Sequence, residues 1–252
     1  MDVNLIESFF AAYRKKEEQL AGERFNSETN AFLELKEKFA PVQTSANDIK
    51  ATQAPYFNVF DILKIRHYEE KVHTPFLRHL LTPTETHEQG FLFLDSFFTN
   101  VLKLPYQSDD ISHLSIFEEY VILDGRIDLL LLYRYRNQLK AIIIENKIYA
   151  GDQHIQLLRY YRFIKEQLRL TKDDFQLVYL TPHRHSPSDR SLKEFNKEQI
   201  RKNNINTVPI QEVKLKGYYA DILPWLTDCL PLIRSEQVRF LVVQYIQTIR
   251  TL

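Results

Sequence analysis

The spacing of apolar residues changes along the chain, and the changes mark its elements. Residues 3–20 and 28–40 repeat them at helical intervals, with Leu5, Phe9, Ala12 and Tyr13 on one face of the first and Phe32, Leu35 and Phe39 on the second. Pro41 is expected to end the second helix, and the polar run to Pro55 reads as a connector. Residues 58–81 return to helical spacing on Phe60, Leu63, Phe76, Leu77 and Leu80. That helix is interrupted or restarted at Thr74-Pro75, because proline suits a first helical turn. A further helix over 90–102 is built on Phe91, Leu94, Phe97 and Phe98.

Beyond this point the period shortens. Residues 116–123, 126–135 and 139–145 are short apolar runs linked by Asp124-Gly125 and Arg136-Asn137-Gln138, a pattern of three consecutive antiparallel strands. A helix over 152–169 follows, with Asp152 placed as its N-cap, and then a strand over 175–180. A helical crossover of that length predicts that the new strand lies parallel to an earlier one. A basic helical stretch over 188–202, a last strand over 205–210 and helices over 218–232 and 235–250 complete the chain. The order is that of an α/β (α+β) domain, with residues 1–55 a helical extension and 56–252 the main domain.

Composition narrows the class. Five glycines against 17 Phe and 14 Tyr suit a helix-rich fold with a sizeable core. A lone cysteine, Cys229, supplies neither an internal disulfide nor a thiolate cluster for zinc. No leader pattern and no run of about 18 apolar residues is seen, so the expectation is a cytoplasmic protein with no membrane partner. The net charge is zero, but residues 126–202 hold sixteen Lys/Arg against nine Asp/Glu. The middle of the chain is therefore the part suited to phosphates.

Two carboxylates in that region ask for an explanation. Asp128 lies within Arg-Ile-Asp-Leu-Leu-Leu-Leu and Glu145 follows Ala-Ile-Ile-Ile, on strands that read as buried on both faces. A buried carboxylate is unfavourable without a cation or several hydrogen-bond donors. Side chains alternate along a strand, so Glu145 and Lys147 share one face and Asn146 takes the other. If the strands are hairpin neighbours, Asp128 comes beside Glu145, and a divalent cation would relieve their repulsion. Hard oxygen ligands favour Mg2+ or Mn2+ over zinc, and Lys147 would then orient or help deprotonate a water, or offset charge on a phosphorane. A buried Asp128–Lys147 ion pair without metal is the other reading.

Further along, Gln156 and Tyr160 stand one turn apart, with Arg159 between them, and would hold a nucleic-acid backbone or stack a base. The plainer reading puts Tyr160 in the core and Gln156 on the surface. His73 and His87 suit hydrogen-bonded structural roles, including pinning the 82–90 loop, better than metal ligation. His183 and His185 read as a basic rim. No phosphate-binding glycine loop, Gly-x-Ser-x-Gly elbow or zinc-ligand spacing is present.

Gly125-Arg-Ile-Asp128, then Glu145-Asn-Lys147 seventeen residues on, then Gln156-x-x-x-Tyr160 resemble the PD-(D/E)xK nuclease superfamily. The run Glu70-x-x-His-Thr-Pro-Phe-Leu-Arg-His-Leu-Leu-Thr-Pro, followed by His87-Glu-Gln-Gly, is similar to a bacterial branch of it. The resemblance spans roughly residues 58–181. It implies a restriction-endonuclease-like core: helix, three antiparallel strands, helix and strand in a mixed sheet flanked by helices. It also implies a Mg2+-dependent nuclease, for which Mn2+ would substitute, acting on DNA more than RNA. The metal would be held by Asp128, Glu145, the main-chain carbonyl of Asn146 and the extra helix carboxylate Glu70, with Lys147 at the water. Substrate contacts are expected from Gln156, Tyr160, Arg126 and Arg159. Ile127 stands where the superfamily's name has proline, and Glu88 where a glycine would follow the histidine. The alternative is a catalytically inactive module that keeps the fold for nucleic-acid or protein binding.

Overall fold

The computed structural model describes residues 3–104 and 108–252. The side chains of Leu5 and Phe9 lie outside the described residues. The chain divides into two units, residues 1–57 and 58–252.

The first unit is a single helix, α1 (Val3–Gln53), and Pro41 lies inside it rather than at its end. The expected break and connector are thus corrected. Proline removes one hydrogen bond and crowds the turn before it, but it leaves helical φ intact for the residues that follow. Those residues are held by Thr44 and Thr52, whose hydroxyls bond to the carbonyls of Ala40 and Asp48.

The second unit begins with α2 (Val59–Ile62), capped by Asn58, whose side chain accepts from the amides of Phe60 and Asp61. Lys64, at φ 56°, turns the chain out of the helix, so the interruption falls ahead of Thr74-Pro75. Leu63, expected in the core, is exposed as a result. A π-helical turn, Glu69–His73, then runs without a break into α3 (Thr74–Leu81), with Pro75 in its first turn. Next come α4 (Leu92–Ser96) and a π-helical turn to Val101. Phe91 stays at the surface.

Strands β1 (Ile111–Ile122), β2 (Gly125–Tyr135) and β3 (Gln138–Asn146) are antiparallel neighbours, and β4 (Phe175–Thr181) and β5 (Val213–Gly217) add on in parallel, giving the order β1-β2-β3-β4-β5. The β2–β3 hairpin closes through Arg136 (φ 48°) and Asn137 (φ 66°), the positive-φ pair that a two-residue turn between twisted strands requires. This is the mixed sheet flanked by helices of an α+β restriction-endonuclease-like fold.

Three local expectations are corrected. The helix α5 (Gln156–Arg162) starts after Ile155, not at Asp152. The Asp152 carboxylate accepts instead from the Tyr179 hydroxyl (2.8 Å) and the Ser188 amide (2.6 Å), tying the loop to β4. The basic stretch forms two short helices, α6 (Asp189–Leu192) and α7 (Lys197–Lys202), with an extended Lys193 after the first. Residues 205–210 make only an isolated bridge, Thr207 to Lys193. There Asn206 bonds to the carbonyls of Ile200 and Asn203, and Pro209 has no amide to donate, so the fifth strand forms later. The chain ends with a π-helical turn, Tyr218–Ile222, α8 (Leu223–Cys229) and α9 (Glu236–Ile249).

The sheet is packed on both faces. Leu129, Leu131, Ile142, Ile144, Val178 and Leu180 meet Phe93, Phe97, Trp225 and Tyr245 on one side. Leu130, Ile143, Leu177 and Tyr179 meet Leu157, Leu158 and Ile164 of the α5 side on the other. His73 is buried in the first layer, between the Tyr245 hydroxyl (2.9 Å) and the Arg66 carbonyl (2.7 Å). His87 bonds to the Thr82 carbonyl and accepts from the Gln89 amide, which pins the 82–90 loop. No helix of the described residues is long and apolar enough to cross a membrane.

Ile143 is fully buried at the centre of this sheet. Ile143→Ala is expected to lower unfolding free energy by about 3 kcal/mol in urea titration, the usual range for such a core truncation. A loss under about 1 kcal/mol would show that the strand is not packed on both faces.

Candidate active site

The two carboxylates meet because of strand register. Leu129 lies opposite Ile144, and the same register carried one residue further sets Asp128 opposite Glu145. Asp128 Oδ2 accepts from the main-chain amide of Asn146 at 2.8 Å. Glu145 is completely buried. Its Oε2 accepts from the Tyr160 hydroxyl at 2.7 Å, while the Lys147 ammonium lies 2.7 Å from Oε1. That contact is both an ion pair and a charge-assisted hydrogen bond from the ammonium to Oε1.

The electrostatics follow from this crowding. Burial and then the facing Glu145 push the Asp128 carboxyl up to about 8. Burial also raises Glu145, against the opposing pull of Lys147. Burial alone would lower the Lys147 ammonium, but Glu145 outweighs it and holds it above the ordinary lysine range. Lys147 thus matches Glu145 while Asp128 is held protonated, and ionising Asp128 adds a negative charge that the lysine alone does not match.

Asp128 and Lys147 open into a cleft of about 360 Å³, lined also by Glu69, Glu70, Arg126, Asn146 and Gln153. The other side of β3 fixes its position. The Asn146 side chain donates to Thr74 Oγ1 (3.1 Å) and accepts from the Tyr218 hydroxyl (2.9 Å), locking the strand end to α3 and the last π-helical turn.

The remaining expected site residues are placed differently from their expected roles. Tyr160 is fully buried, which takes it away from any base, and Gln156 is nearly so but still lines the cleft. The Tyr160 hydroxyl lies 2.6 Å from the Arg126 carbonyl as well as 2.7 Å from Glu145, and with one proton it donates to one of them at a time. Gln156 Nε2 donates to that hydroxyl at 3.2 Å. The pair therefore orients Glu145. Glu70 is held by Arg126 at 2.9 Å, and Arg126 is also paired with Glu119. These two residues are bound to each other at the cleft rim, whereas a metal role was expected of one and a substrate role of the other. Arg159 packs against Gly125, where a Cβ would stand 3.2 Å from its guanidinium carbon, and donates to Gln153 at 3.0 Å.

One acid was missed in the sequence. Glu119 sits beside Asp128 across β1 and β2, where burial raises its carboxyl and Arg126 lowers it. Counting the hairpin register back from the Asp124-Gly125 turn would have found it. Glu69 accepts from the amides of Ile148, Tyr149 and Ala150, closing the loop after Lys147. No signal in the sequence linked it to that loop.

The donor set fits a hard divalent cation. Asp128 and Glu145 present carboxylate oxygens side by side with Lys147 facing both, so that a cation would let Asp128 ionise beside Glu145. Among the described residues no group of three or more His, Cys, Asp or Glu converges on one point. A cation here would thus take two carboxylates and complete its shell with main-chain, water or substrate oxygens, as Mg2+ commonly does.

A family model of the PD-(D/E)XK nuclease superfamily matches residues 57–247, and the chain belongs to that superfamily. The match runs well past residue 181, so the C-terminal helices are part of the family's domain. No curated protein and no solved structure shows significant similarity to the chain.

In metal-free protein, Asp128 stays protonated when folded up to about pH 8, against an ordinary value of 3.8. The folded state then binds more protons than the unfolded one, and stability falls as pH rises through that window. Asp128→Asn removes this dependence. With chelator present, its thermal midpoint should exceed the parent's by a margin that widens between about pH 5 and pH 8. A margin constant or shrinking with pH contradicts the assignment.

Proposed function

We propose that this protein is a divalent-metal-dependent nuclease that hydrolyses phosphodiester bonds of nucleic acid, DNA in preference to RNA. The observation that carries the reading is the pair of facing carboxylates, Asp128 and Glu145, with Lys147 paired to Glu145, and with Asp128 and Lys147 opening into the cleft. Membership in a superfamily of nucleases supports the class of reaction.

Asp128, Glu145 and the Asn146 main-chain carbonyl are the proposed ligands of Mg2+, with Mn2+ able to replace it. When bound, the metal would supply Lewis-acid polarisation of a phosphoryl oxygen and a lowered pKa for an attacking water. Lys147 supplies a fixed positive charge at the cleft wall, where it would orient that water and offset charge developing on the phosphorane. Tyr160 holds Glu145 by its hydroxyl, and Gln156 holds Tyr160. Arg126 stands at the mouth between Glu70 and Glu119, so Glu70 acts through Arg126 and not as a ligand.

Asp128→Ala and Lys147→Ala should each abolish cleavage while keeping cooperative unfolding. The assay is plasmid, linear duplex, single-stranded DNA and RNA incubated with Mg2+ or Mn2+. Cleavage that survives a chelator, or that neither variant changes, would remove the reading. Tyr160→Phe keeps the ring and loses the hydrogen bond to Glu145. It should raise the metal concentration for half-maximal cleavage by about 10- to 100-fold, the range seen when a ligand's supporting hydrogen bond is lost. An unchanged metal requirement would show that Tyr160 does not position Glu145.

A further inference from the structure

We propose that a cavity beside the cleft is a nucleobase-stacking subsite, so that the protein takes a single-stranded segment of nucleic acid at the bond it cuts. The inference rests on the nuclease reading above and names the form of its substrate.

The cavity measures about 290 Å³ and is lined by His67, Tyr68, Lys71 and Tyr149, with Glu69, Glu70 and Ala150 shared with the cleft. Its walls are unusual for a surface next to a charged site. Tyr149 is 58% exposed and Tyr68 43% exposed. The His67 ring lies 4.3 Å from that of Tyr68, and the Lys71 ammonium sits 5.6 Å from the Tyr68 ring centre. Flat rings left in water next to a cation form the kind of platform that stacks bases without reading their edges.

The platform is also built rather than loose. Glu69 follows Tyr68 in the chain, and its carboxylate takes the amides on either side of Tyr149 as well as that of Tyr149 itself. One side chain thus ties the backbone of one tyrosine to that of the other. The same bonds engage the charge of Glu69, and Arg126 engages that of Glu70, so the two acids shared with the cleft repel a phosphate less than bare carboxylates would. At the opposite end, Gln153 leads from the cleft into a groove of about 580 Å³ with His154, Arg159 and Arg162 on its wall. That groove also carries Asp124 and Glu194, so it is polar and of mixed charge, whereas the aromatic cavity is suited to bases.

A base within duplex is already stacked on both faces and reaches such a platform only by leaving the helix. The subsite therefore favours single strands and unpaired ends over intact duplex.

The test uses the full chain carrying Lys147→Ala, which removes cleavage, and an oligonucleotide containing 2-aminopurine, whose fluorescence falls when it stacks on a ring. The expected result is quenching with single-stranded DNA or RNA, and weaker binding of the same sequence as duplex. Adding Tyr149→Ala or Tyr68→Ala should remove the quenching and weaken binding by about 5- to 150-fold each, the range for losing one stacked base. Tyr149→Phe should keep both signals, since it keeps the ring. Quenching and affinity unchanged in both alanine variants would overturn the proposal, as would equal affinity for duplex or no binding of single strands. The readout is binding, so a protein that quenches normally but cleaves nothing as wild type would refute the nuclease reading and leave the subsite standing.

Discussion

Two carboxylates facing each other across a hairpin, with one lysine between them and water, is the constraint around which the domain is organised. Were both ionised, unit charges about 4 Å apart would repel by roughly 4 kcal/mol at the effective dielectric of a protein surface, and more when buried. Such an arrangement is kept only where the surrounding packing fixes it. Here the fixing begins at the Arg136-Asn137 turn, which sets Tyr135 opposite Gln138 and so every later pair of β2 and β3. A slip by one residue would move Asp128 to the other face of the sheet. The apolar layers on both faces hold the register, because they would be turned inside out by the same slip.

From that hairpin the site is extended by hydrogen bonds that cross long stretches of sequence. The Asn146 side chain reaches Thr74 and Tyr218, Tyr160 reaches back to Glu145, and Glu69 closes the loop that follows Lys147. Glu69 and Glu70 stand at the start of a π-helical turn. Insertions of this kind occur often at functional sites, where the wider turn re-aims side chains. The helix before the sheet therefore brings one acid to the loop and the other to Arg126. Neither contact is available without the sheet, and the loop has no other acceptor among the bonds described for its three amides.

Much of this was legible in the chain. The strand pattern and its two turns set the antiparallel order, and the apolar run before Glu145 marked it as buried, whereas Asp128 is half-buried at the cleft wall. Asn146 facing away from Glu145 and Lys147 followed from strand alternation. What was not legible depended on contacts rather than periods. Tyr160 and Gln156 have the spacing of a helix face, but only the packing of α5 on the sheet shows that this face is turned inward. Arg126 and Glu70 lie 56 residues apart and neutralise each other, which no local pattern reports. Pro41 and Asp152 misled for a related reason: a residue's preference for ending or capping a helix is overridden where neighbouring side chains support, or engage it in, something else.

The burial of Tyr160 has a consequence for how the site meets its polymer. An aromatic ring that holds a carboxylate in place cannot also stack a base, so base contact has to come from rings that remain in water, as Tyr68 and Tyr149 do in the cavity beside the cleft. The cations nearest the cleft are engaged in the same way, Lys147 by Glu145 and Arg126 by Glu70 and Glu119. With Asp128 also present, the cleft carries too little free positive charge to attract a phosphodiester by itself. On the proposed reading a divalent cation serves binding as well as chemistry, since it supplies the charge that the lysine and arginine have already committed to the protein's own acids. The aromatic cavity beside the cleft then offers a base its contact without adding charge of its own beyond Lys71 and the engaged acids Glu69 and Glu70.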